Sequence, residues 1–88
     1  MSSVLLPEQT TKVSNTTGSD IEMWIEPLGD RVPMRRGETF EIISTHELGR
    51  EVEIELGKDS IRVHGWIKHI SSVSPTGARK RLWELPVK

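Results

Sequence analysis

Chemistry in this chain would have to come from three histidines, His46, His64 and His69, from thirteen acids and from serines scattered through turns. No two carboxylates sit in a recognisable acid–base arrangement. No serine lies in a nucleophile-elbow glycine pattern, and no glycine-rich phosphate loop is present. His64 and His69 are five residues apart, so a regular strand points them to opposite faces, which is wrong for shared metal ligation. Cysteine is absent, which excludes disulfides and thiolate-bound zinc and fits a reducing compartment. The expectation is therefore no catalytic residue, no metal and no cofactor.

Two other residue types carry more information. "ARKRLW" places Arg79, Lys80 and Arg81 beside Trp83, and Trp66 sits near Arg62 and Lys68. Aromatic faces next to cations are the usual apparatus of single-strand nucleic-acid binding. Against that reading stand a net charge of -1, glutamate-rich neighbouring segments and the lack of an RNP-type motif. The charge is also divided along the chain. Residues 20–59 hold eleven acids and five bases, whereas residues 60–88 hold one acid and six bases. Acidic strands paired with basic strands account for this as well as a basic tail does.

The tryptophans are out of phase. In "DIEMWIEPLGD", Ile21, Met23 and Ile25 alternate onto one face, leaving Trp24 with Glu22 and Glu26 on the other. Trp66 falls in step with Arg62, His64 and Lys68. Leaving an indole in water forfeits about 2–3 kcal/mol of burial, so cover is expected from the chain's own ends, a second subunit or a bound ligand. Trp24, Trp66, Arg62, His64, Lys68 and Trp83 are thus the candidate binding residues.

The elements positioning them read as strands throughout. Period-two alternation recurs, and no window carries a helical apolar stripe. Residues 1–10 read as a flexible tail and residues 11–88 as one domain. "NTTGS", "PLGD", "RRGE" and "SPTGA" supply turn chemistry, and the sequon at Asn15 is read as turn chemistry alone. Pro33 cannot donate to a ladder, so "RVPMR" is an edge strand or a bulge. In "REVEIELGKDSIRVHGW" the apolar phase demands an even-length hairpin. A two-residue loop at Gly57-Lys58 pairs Ile54 with Ile61, Val52 with Val63, Glu53 with Arg62 and Glu51 with His64. A four-residue loop keeps the phase but shifts the partners. Seven or eight short strands imply an all-β fold, a small antiparallel β-sandwich or partly closed barrel. Its expected core is Ile21, Met23, Ile25, Phe40, Ile42, Val52, Ile54, Leu56, Ile61 and Val63. The apolar run near the N-terminus, Val4 to Leu6, is too short for a secretory signal or a membrane span, so a soluble, cytoplasmic protein is expected.

Val13 to Ser44 resembles a small, uncharacterised bacterial all-β family. The pattern is an asparagine in the first strand, an alternating strand ending W-x-E-P-x-G, then a short strand, and G-E opening the next. Asn15, Trp24, Glu26, Pro27, Gly29, Gly37 and Glu38 carry it here. The resemblance covers about a third of the chain and implies a sandwich without a known activity. The same run is more faintly similar to the β domain of the von Hippel-Lindau protein, where the matching tryptophan borders a peptide pocket. That likeness places Trp24 near such a pocket.

These readings converge on a non-enzymatic binding or assembly module. Its partner is another protein or a second copy, met by the tryptophan surface or by an edge strand such as "RLWELPV". The alternative is an acidic ligand or single-stranded nucleic acid held by Arg62, Lys68, Arg79, Lys80 and Arg81.

Overall fold

A computed structural model describes residues 8–45 and 52–85. His46, Glu51 and residues 1–7 of the expected tail lie outside the described residues. The tail gives way earlier than expected, because β1 already begins at Glu8.

Eight strands follow one another: β1 (Glu8–Ser14), β2 (Ile21–Glu26), β3 (Asp30–Met34), β4 (Thr39–Thr45), β5 (Glu53–Leu56), β6 (Ser60–His64), β7 (Ile67–Val73) and β8 (Arg79–Glu84). They form two four-stranded sheets, β1-β4-β7-β8 and β3-β2-β6-β5. This is the small all-β sandwich that the alternation implied. Among the described residues, no helix is long and apolar enough to cross a membrane.

One pairing departs from an antiparallel sandwich. β2 and β6 run parallel, with Trp24 beside Arg62 and Glu26 beside His64. The chain reverses at every connection, so partners an odd number of strands apart are antiparallel. β2 and β6 are four strands apart, so they run the same way.

The core is the shared inner layer. Ile21, Met23 and Ile25 of β2, Val32 and Met34 of β3, Phe40 and Ile42 of β4, Ile61 and Val63 of β6, and Ile67 and Ile70 of β7 are all buried. β4 is covered on both faces: Glu41 is buried and Ile43 half-buried on the outer side. Pro33 sits on β3, which is an edge strand as its proline requires.

Two expected core residues are outside it. Ile54 is 39% exposed and Leu56 77%, while Val52 is half-buried. The inward phase was right, because Ile54 pairs with buried Val63 and Leu56 with buried Ile61. What is missing among the described residues is cover. Trp83 on β8 bonds Asp30 on β3, so those two edges face each other and β5 lies on the β1 side. The inward positions of β1 are Gln9, Thr11 and Val13, opposite Ser44, Ile42 and Phe40. Only one of the three is apolar, so the end of the second sheet has little to bury against.

The β5–β6 hairpin is even, in the longer of the two registers considered. Glu55 lies opposite Arg62 and Glu53 opposite His64, which moves each glutamate two residues from the two-residue-loop alternative. The Gly57 amide closes the turn on the Ser60 carbonyl at 2.8 Å.

Asn15 is the polar pin of the fold. It is 2% exposed. Its Nδ2 donates to the Ser19 carbonyl at 2.7 Å and the Met34 carbonyl at 3.1 Å. Its Oδ1 accepts from the Thr17 amide and hydroxyl at 3.1 and 2.7 Å. Both amide hydrogens of the sequon are therefore occupied inside the folded domain.

Candidate functional site

The six candidate residues separate into two groups. Trp24, Arg62 and His64 lie on the outer face of the second sheet. Trp66, Lys68 and Trp83 gather at one end of the sandwich.

On the outer face, register explains Trp24. Ile25 pairs with Asp30 across the Pro27–Gly29 turn, so Trp24 meets Arg31 on β3, and the parallel pairing sets Arg62 on its other side. Gly29 holds the turn with φ 77°, its amide bonded to the Ile25 carbonyl at 2.8 Å. The Arg31 and Arg62 guanidinium carbons stand 4.9 and 5.6 Å from the indole centroid. Both distances are within cation–π range. The half-buried ring is thus flanked by cations from both neighbouring strands, a source of cover different from the three expected. Glu22 lies 3.8 Å from Arg31, and His64 Nε2 lies 3.4 Å from Glu55.

The end of the sandwich is different in kind. Ile25, Ile67 and Trp83 line an apolar cavity of ≈ 150 Å³, with Pro27, Leu28, Trp66 and Leu85 around its mouth. Three of these stand well out in solvent: Leu28 (53%), Trp66 (52%) and Leu85 (41%). Lys68 and Glu26 are the charged groups of the rim. Trp66 lies in the break between β6 and β7, where its carbonyl accepts the Thr45 amide at 3.0 Å. That bond fixes the backbone while the side chain projects. Trp83 turns inward, because the pairing of β7 with β8 slips between Ile70 and Ser71 and sets Leu82 and Trp83 together against the core. Its Nε1–H donates to Asp30 Oδ2 at 2.8 Å.

The basic residues are largely committed within the domain. Arg79 grips Glu41 with two bonds, Nε to Oε1 at 2.9 Å and a terminal guanidinium nitrogen to Oε2 at 3.2 Å. It reaches diagonally past Ser71, the small residue opposite Glu41 on β7. The Arg79 hydrogen bonds hold the Glu41 carboxyl below the usual carboxylate range and raise the pKa of Arg79. Lys68 bonds Glu8 at 2.7 Å and lowers its pKa likewise. Arg81 lies 3.4 Å from Glu84. Between the acidic segment 20–59 and the basic segment 60–88, the ion pairs among the described residues are Arg79–Glu41 and His64–Glu55, so cross-strand pairing accounts for part of the division of charge.

His69 is half-buried, and desolvation pushes its imidazole below the ordinary histidine range, with Arg81 adding to the effect. Among the described residues, no group of three or more histidines or acids gathers as a metal ion needs.

Arg31, Leu28 and Leu85 went unnoticed in the sequence reading. Leu28 had a signal, an apolar residue at the tip of a turn. Arg31 follows from the four-residue "EPLG" connection, which fixes the register of β2 on β3. Leu85 had none.

The chain matches no protein-family model, no curated protein and no solved structure. The fold and the site define an all-β module with a tryptophan-rimmed apolar cavity at one end.

Proposed function

We propose that this protein is a non-enzymatic protein-binding module whose end cavity receives one bulky apolar side chain of a partner protein. The carrying observation is the cavity itself: an apolar floor of Ile25, Ile67 and Trp83 beneath a rim where Leu28, Trp66 and Leu85 are exposed together. A cavity of this order accommodates a benzene-sized group. Tryptophan at a desolvated recess is the usual anchor of a binding hot spot, with the surrounding aliphatic side chains serving to exclude water. The ion pairs of Arg79, Arg81 and Lys68 favour this reading over an acidic ligand or nucleic acid. The likeness of residues 13–44 to the von Hippel-Lindau β domain would put a partner at Trp24 instead, on a face separate from the cavity, and lends the cavity no support.

The probes are the N-acetyl amides of phenylalanine, leucine and aspartate, titrated while the three indole N–H resonances are followed by NMR. The apolar probes are expected to shift Trp66 and Trp83 and to leave Trp24 in place, and aspartate to shift none. Trp66→Ala is expected to abolish the response at Trp83. Equal shifts from all three probes, or no shift up to their solubility limits, would refute the proposal.

A further inference from the structure

The exposed large apolar side chains among the described residues fall into two groups. Leu28, Trp66 and Leu85 belong to the end cavity; Ile54 and Leu56 stand on β5, an edge of the second sheet. A strand edge is a template for another strand, and natural sheets blunt it with proline, bulges or charges. β3 carries Pro33. β8 carries the slip at Leu82 and three consecutive bases. β1 exposes polar side chains. β5 has neither proline nor a register slip; its charges, Glu53 and Glu55, are of one sign and exclude like-charged strands rather than all strands, and its two inward-phase residues are aliphatic.

The backbone of β5 is also poised. The Gly57–Ser60 bond marks a hydrogen-bonded pair, and such pairs alternate along an antiparallel ladder. Glu55 and Glu53 therefore bond inward to β6, while Ile54 and Leu56 turn their N–H and C=O groups to the open edge. Among the described residues nothing takes those groups. The intervening side chains, Glu53 and Glu55, are the outermost charges of this edge; Arg62 and His64 of β6 flank them on the inner side only, His64 lying 3.4 Å from Glu55, so their open side is acidic. That charge argues against a second copy of β5, whose own glutamates would fall opposite them.

We propose that β5 adds an extended segment of a partner protein to the second sheet, and that this segment alternates apolar and basic residues. The apolar residues lie against Ile54 and Leu56, and lysines or arginines lie opposite Glu53 and Glu55. This site is separate from the end cavity and does not depend on it.

The test uses three labelled hexapeptides: alternating Lys-Val, alternating Glu-Val, and the Lys-Val composition scrambled into two blocks. Fluorescence anisotropy should show the alternating Lys-Val peptide binding best. Glu53→Lys with Glu55→Lys should weaken it roughly tenfold and favour the Glu-Val peptide instead. Amide exchange should slow at Ile54 and Leu56 on binding and stay unchanged at Glu53 and Glu55. Ile54→Pro removes one outward donor and no bond to β6, so it should fold and fail to bind. If that variant does not fold, methylating alternate amides of the Lys-Val peptide tests the same ladder, and unchanged binding overturns the proposal. So does equal binding of the scrambled peptide, indifference to charge reversal, or protection at Ile54 that rises with protein concentration alone, which would mean a second copy.

Discussion

The indole N–H of Trp83 bonds the carboxylate of Asp30 at 2.8 Å, fastening the last strand of one sheet to an edge strand of the other. Trp83→Phe keeps an aromatic ring and removes the donor; Asp30→Ala removes the acceptor. A double-mutant cycle by urea denaturation should give a coupling of about 1 kcal/mol. A coupling indistinguishable from zero would show that the bond is not fastening the sheets.

Trp24 should report its two arginines. Arg31→Gln and Arg62→Gln each remove a cation from the ring and should each lower stability by about 0.5–1 kcal/mol. Both should change the Trp24 indole N–H chemical shift. Arg62→Lys should restore part of the stability, since the ring attracts any cation. Equal loss in Lys and Gln variants would assign the effect to packing of the arginine stem instead.

Asn15 should be the most sensitive polar position. Asn15→Ala leaves the Ser19 and Met34 carbonyls short of a donor and should cost about 1–3 kcal/mol. Asn15→Asp is nearly isosteric but sets a carboxylate against two carbonyls, so its loss at neutral pH should be larger. The Asp variant should recover toward Ala-like stability in acid, as its carboxyl gains a proton to donate. A flat pH difference between the two variants would contradict this assignment.

Stability should fall in acid in two stages. His69 titrates below its unfolded value, so the unfolded chain takes up a proton first as pH falls through the ordinary histidine range. Glu41 and Glu8 are also held low, so their stabilisation persists above the usual carboxylate range and is lost as pH falls through it. Thermal melts should show His69→Gln flattening the first stage and Glu41→Gln the second. If His69→Gln leaves the curve between neutrality and the carboxylate range unchanged, burial of His69 is not what shapes it.

Strand phase was legible in the sequence; coverage was not. Alternation correctly set Ile21, Met23, Ile25, Phe40, Ile42, Ile61 and Val63 inward, and the apolar phase of the β5–β6 hairpin demanded the even register that is found. Ile54 and Leu56 have that phase too. Their exposure depends on which strand of the other sheet lies across from them, and no local pattern encodes that. Trp24 shows the same limit. Its misfit with its own strand was visible, but Arg62 becomes its neighbour only through a parallel pairing of strands far apart in sequence. Asn15 read as turn chemistry because its partners include a carbonyl nineteen residues away. The end cavity joins three chain segments through Leu28, Trp66 and Leu85; Trp66, Lys68 and Trp83 were singled out from the sequence, but nothing local shows that they meet.

The two sheets share one pattern of supply. Each takes two strands from residues 8–45 and two from residues 53–84, and each joins its halves along a single central seam, β4–β7 or β2–β6. On the ribosome, the first half must therefore wait with β2 and β4 unpaired along their inner seams until β6 and β7 emerge. Both seams close over the same core. The topology thus predicts folding in one non-local event, seen as a single slow phase in stopped-flow refolding, with neither sheet complete before both halves of the chain are present.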